Sequence, residues 1–141
     1  MEQKDALIYS GLEALKEGKT IAIVPQGISM MPFIKGGEDQ VYLLKKETVE
    51  VGDIVLVECH GKYILHRVYS VDGEMITLMG DGNLKGTEVV DKSEVKGTAI
   101  EIIKPNGRCR KPHKAWLWRH TLPMRGLMLK VCRKWYKLWN S

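Results

Sequence analysis

Tyr63-Ile64-Leu65-His66-Arg67-Val68-Tyr69-Ser70-Val71, then Asp72-Gly73, then Met75-Ile76-Thr77-Leu78-Met79, is the stretch that decides how this chain reads. The first run is β-branched and aromatic, the dipeptide is a hairpin turn signal, and the last run brings the chain back. The same grammar repeats outward. The turn Val51-Gly52-Asp53 leads into Ile54-Val55-Leu56-Val57, and Gly61-Lys62 connects that run to Tyr63. Residues 21–24 and 41–44 are earlier short β runs, and residues 95–103 form a last one, closed by Pro105-Asn106-Gly107. Short strands at close intervals with Gly-rich turns predict a mainly β, largely antiparallel domain. Ahead of it, Leu7, Leu12 and Leu15, with Ala6 and Ala14, recur near helical spacing before Gly18, which predicts a short N-terminal helix over 4–17.

The chain has 141 residues, 44% of them hydrophobic, enough for one domain with a core that needs no staples. Three cysteines (Cys59, Cys109, Cys132) are too few for a disulfide scaffold or a four-thiolate zinc site, and their odd number fits a reducing compartment. No metal ligand set and no cofactor motif stands out; Cys59-His60 and Cys109 with His113 lack metal-ligand spacing.

The net charge of +5 hides a split, because residues 105–141 hold 10 Lys/Arg and no acid. From Met124, the residues Leu127, Met128, Val131, Trp135 and Leu138 fall on one helical stripe, with Arg125, Lys130, Arg133, Lys134 and Lys137 opposite. This predicts a basic amphipathic C-terminal helix of about four turns, in a tail that holds all four tryptophans. The expected organisation is a helix over 1–19, a β domain over 20–107 and the basic tail over 108–141. The start of the chain lacks a signal-peptide pattern and no apolar run approaches the ~20 residues a span needs, so a cytoplasmic location is expected.

Three local features could carry chemistry. Gly27-Ile28-Ser29-Met30-Met31-Pro32 sets a serine between a flexible and a rigid residue just after a short strand. Such a loop can aim a hydroxyl and backbone N–H groups at one carbonyl, but serine needs a base. His66 lies in an apolar strand, sharing a face with Ile64 and Val68, as a partly desolvated general base would. Gly80-Asp81-Gly82-Asn83 follows the paired strand, and Asp81 is placed to orient that imidazole. The plainer alternatives are a turn serine beside core methionines, a hydrogen-bonded core histidine and a turn-forming aspartate.

Taken together and in order, four blocks resemble the signal peptidase I and LexA-type serine peptidases. They are Gly27–Pro32, Val51-Gly52-Asp53-Ile54-Val55, His66-Arg67-Val68 and Gly80-Asp81-Gly82-Asn83. A histidine where bacterial signal peptidases and LexA-like proteins place lysine resembles the endoplasmic-reticulum-type branch. The resemblance implies a coiled β-ribbon fold, with Ser29 as nucleophile, His66 as base and Asp81 as its acidic partner. It implies a peptide or precursor substrate, bound as an added strand beside Gly27, Met30 and Pro32. Gly27 stands where many signal peptidases carry Ser or Thr, which leaves the oxyanion to backbone N–H groups. Gly82 replaces the usual first Asn of the acidic loop. The membrane anchor typical of the signal peptidases is not evident at the start of this chain.

The basic Trp-bearing tail suits an anionic membrane surface from the cytoplasmic side, or equally a helix packed on the acidic body. Nucleic-acid binding is disfavoured, since residues 1–19 are too short for a helix-turn-helix. The leading reading is a serine endopeptidase acting through an acyl-enzyme, self-cleavage included. Its rivals are a non-catalytic β-ribbon that binds peptides or proteins, and a membrane-surface adaptor.

Overall fold

The computed structural model describes residues 11–27, 29–30, 32–82 and 86–115, together with Arg119, Lys130 and Lys134. In it, residues 11–16 are helical. Eight strands follow: β1 Ile21–Ile23, β2 Gln40–Leu44, β3 Ile54–Cys59, β4 Lys62–Asp72, β5 Met75–Met79, β6 Glu88–Asp91, β7 Val95–Ile103 and β8 Cys109–Arg110. All pairings are antiparallel, in the order β1-β2-β7-β3-β4-β5-β6, with β8 added to β7. The sheet curls into a half-barrel, and the mainly β class read from the sequence holds. The expected helical residues 4–10 and the tail helix lie outside the described residues, except that Lys130 and Lys134 are helical.

Register explains the curl. Ser70 pairs with Thr77 while Val68 pairs with Leu78, which leaves Tyr69 as an extra residue in β4. Ile100 and Lys96 are extra in β7, against β2 and β3 respectively. Each such bulge bends and twists its strand. The β4–β5 turn is Gly73-Glu74, one residue later than the expected Asp72-Gly73, because Asp72 still pairs with Met75.

β3 is the central strand and is buried on both faces, so its run Ile54-Val55-Leu56-Val57 shows no polar alternation. Ile54 and Leu56 face a cluster with Leu15, Met30, Ile34, Leu43 and Leu65. Val55 and Val57 face a second cluster with Val68, Ile76, Leu78 and Val90. Leu15, from the helical segment, sits over Gly97 of β7, where an added Cβ would lie 3.2 Å from the Leu15 side chain. The small residue in the strand is thus the seat of the helix.

Leu15 is buried at 1% exposure. We expect Leu15→Ala to lower the unfolding free energy by about 2–5 kcal/mol, read as a lower urea midpoint, because the cavity cannot close over a rigid sheet.

Candidate functional site

The segment between β1 and β2 carries Ser29, and its shape is fixed by backbone contacts. Gly37 N–H donates to Pro25 C=O at 2.7 Å, closing the base of the loop. The backbones of Gly27 and Gly36 touch, such that a Cβ on Gly36 would lie 1.9 Å from the Gly27 carbonyl oxygen. Only glycine permits that approach. Inside the loop, the N–H groups of Phe33 and Ile34 donate to Met30 C=O at 3.1 and 3.0 Å, making one tight turn that includes the half-buried Pro32. Met30 and Ile34 then anchor the loop in the first core cluster. Lys104, one residue beyond β7, holds it from outside, reaching Asp39 at 2.6 Å and Phe33 C=O at 3.3 Å.

β4 supplies the second element. Its pairing with β3 puts His66 opposite Val55 and Arg67 opposite Ile54, so the two side chains leave opposite faces of the sheet. Arg67 is 1% exposed and Asp81 0%. Arg67 Nε donates to the Asp81 oxygens at 2.8 and 3.0 Å, and Nη2 donates at 2.8 Å. Its Nη1 donates to Gly52 C=O at 2.8 Å and to His113 C=O at 2.7 Å. The guanidinium also lies 5.3 Å from the Phe33 ring centre, a cation–π contact with the serine loop. A carboxylate sharing several N–H donors with a permanently charged partner is strongly held.

Asp81 was expected to hold the imidazole of His66, and this expectation is corrected. Both of its oxygens accept from Arg67, and the carboxylate hydrogen-bonded to His66 is that of Glu88, with Nδ1···Oε2 at 3.1 Å. The reason is the alternation of β4, which turns the neighbouring Arg67 toward the Asp81 loop. The loop still serves the serine indirectly, since Gly82 N–H donates to Ser29 C=O at 2.8 Å.

Ser29 and His66 line one cavity of about 190 Å³, together with Gly27, Met30, Leu56 and Leu65. Among the described residues no hydrogen bond joins Ser29 to His66. Of the expected site residues, Gly27, Ser29, Met30 and His66 meet at this cavity, while Asp81 stands behind it on Arg67. Arg67 and Glu88 are the residues that sequence reasoning passed over. Among the described residues no group of three His, Cys, Asp or Glu side chains could hold a metal ion.

The chain after β7 closes over Arg67. His113 gives its carbonyl to the guanidinium and sets its ring edge-on to Phe33, with centres 4.8 Å apart. Partial burial, then the charge of Arg67, holds the His113 imidazole below the usual histidine range. Lys114 is tied to Glu50 and Asp53, and its hydrogen bond to Glu50 holds its ammonium above the usual lysine value.

Removing one member of the buried pair leaves an uncompensated charge. We expect Asp81→Ala to destabilise the protein by about 3–5 kcal/mol in urea unfolding, and Arg67→Met with Asp81→Leu together to recover only part of that loss, because the carbonyls of Gly52 and His113 then lose their donor.

Compared with known proteins, residues 2–103 match the family model described as Peptidase S24-like. No curated protein matches the chain. No helix among the described residues is long and apolar enough to cross a membrane.

Proposed function

The chain belongs to the Peptidase S24-like family, and from that premise we propose that it is a serine endopeptidase with Ser29 as nucleophile and His66 as general base. The observation that supports this most is the shared cavity: a loop serine and a strand histidine, distant in sequence, open onto the same small space. In this reading Ser29 Oγ attacks a peptide carbonyl as its proton passes to His66 Nε2. The imidazolium then protonates the leaving amine as the C–N bond breaks, and water hydrolyses the acyl-enzyme by the same route. Backbone N–H groups near Ser29 stabilise the oxyanion. The apolar walls suit an extended peptide with small side chains, drawn from a precursor protein or from the chain itself. In this reading, a histidine in the base position resembles the endoplasmic-reticulum-type signal peptidases rather than the lysine-dependent members.

A second reading is a non-catalytic module of the same fold that binds extended peptides, favoured by the missing Ser29–His66 hydrogen bond. The two part company on a fluorophosphonate probe, which bonds to an activated serine with loss of fluoride. We expect the wild type to be labelled, Ser29→Ala to take up none, and His66→Ala to react about 10²–10⁴-fold more slowly. Equal labelling of wild type and Ser29→Ala would discard the peptidase reading.

We also propose that the basic tail holds the enzyme on the cytoplasmic face of an anionic membrane. Residues 116–141 carry six Lys/Arg, each worth about 1 kcal/mol near such a surface. The full chain is expected to sediment with phosphatidylglycerol vesicles. A truncation after Ala115, which keeps the segment bonded to Arg67, is expected to stay in the supernatant. Equal sedimentation of both would remove the tail from the account.

A further inference from the structure

We infer that Glu88 is the positioning residue of the site, holding the His66 ring so that Nε2 is the nitrogen that accepts a proton from Ser29; this rests on the peptidase reading above. Glu88 opens β6, and its register carries it to His66. It pairs with Leu78, which in turn pairs with Val68, two residues along β4 from His66. Val68, Leu78 and Glu88 therefore form one row across the sheet, on the face that His66 shares. The imidazole is 7% exposed, and its Nδ1 lies 3.1 Å from Glu88 Oε2.

A carboxylate can only accept, so Nδ1 must carry the hydrogen and Nε2 the lone pair. When Nε2 takes the hydroxyl proton, the positive charge of the imidazolium faces the Glu88 carboxylate. The other acidic candidate, Asp81, is neutralised by Arg67 on the opposite face. Tyr63 also lines the cavity but adds no opposite charge. Among the described residues, Glu88 makes no other ion pair. Its side chain is 25% exposed, so the contact lies near the rim, where the strand is an edge.

The test compares wild type with Glu88→Gln and Glu88→Asp by two readouts. One is the rate of fluorophosphonate labelling. The other is nitrogen NMR of the imidazoles, with His66 among the four histidines assigned through His66→Gln. In Glu88→Gln the charge is lost and the amide can donate to Nδ1 as well as accept from it, so the hydrogen is no longer held on Nδ1. We expect hydrogen to exchange onto Nε2 and labelling to slow about 10²–10⁴-fold. Glu88→Asp keeps the acceptor, so it should retain the hydrogen on Nδ1 and recover part of the rate. Both readouts unchanged in Glu88→Gln would overturn the inference. The expected exchange in a protein whose wild type takes up no probe would uphold the Glu88–His66 hold and overturn the peptidase reading instead. Should Glu88→Gln fail to fold, a hydrogen on Nδ1 in both the wild type and Glu88→Asp, with slower labelling of Glu88→Asp, supports the inference, and an Nε2-bound hydrogen in the wild type itself refutes it.

Discussion

The buried pair of Arg67 and Asp81 is the constraint on which the other parts of the site depend. A guanidinium cannot shed its proton, so placing it at 1% exposure demands partners on nearly every side. The chain supplies them from four separate segments: the Asp81 loop, the turn at Gly52, the strap at His113 and the ring of Phe33. None of these segments is regular structure, and each would otherwise be free to adopt several conformations. Their common attachment to one side chain makes a single rigid frame out of loops.

The frame reaches the chemistry through β4. Arg67 and His66 are neighbours in sequence, and strand geometry sends them to opposite faces. One residue therefore fixes the loops while the next stays available to the cavity. The Asp81 loop closes the circuit, because holding Asp81 also fixes Gly82, whose N–H reaches the carbonyl of Ser29. Ser29 is thus tied to Arg67 by two short steps without any charge entering the cavity. A direct Asp81–His66 contact would have removed this support, leaving Arg67 buried without its counter-charge.

How much of this could be read from residues alone follows from the length of each signal. The β4–β5 hairpin was legible because two long apolar runs flank a turn. Ser29 and His66 stood out as polar groups among apolar neighbours. β6 was not legible: Glu88-Val89-Val90-Asp91 shows two apolar residues between acids, too short a pattern to separate from a loop. β8 has only two residues. Arg67 was visible in its strand, but an arginine shows its worth only when its partners are known. Asp81 was located in the right loop and given the wrong partner, since choosing between His66 and Arg67 depends on which face each occupies. Glu88 depends on the pairing of three strands, information that no single stretch contains. A period-two reading of 88–91 would have put Glu88 and Val90 on one face, which is the only local hint.

The strap over Arg67 lies beyond residues 2–103, the part that matches the family model. Yet His113 accepts one of the five guanidinium hydrogen bonds named above, and Lys114 packs so closely on Gly52 that an added Cβ there would lie 2.5 Å from it. The segment is therefore part of the frame in physical terms, although it stands at the root of the basic tail. Lys114, tied to Glu50 and Asp53, and His113, whose carbonyl accepts from Arg67, both join this segment to the frame. The 2.7 Å hydrogen bond to Arg67 is made by a backbone atom and so does not depend on the side chain at position 113, whereas the ring contact with Phe33 of the serine loop does.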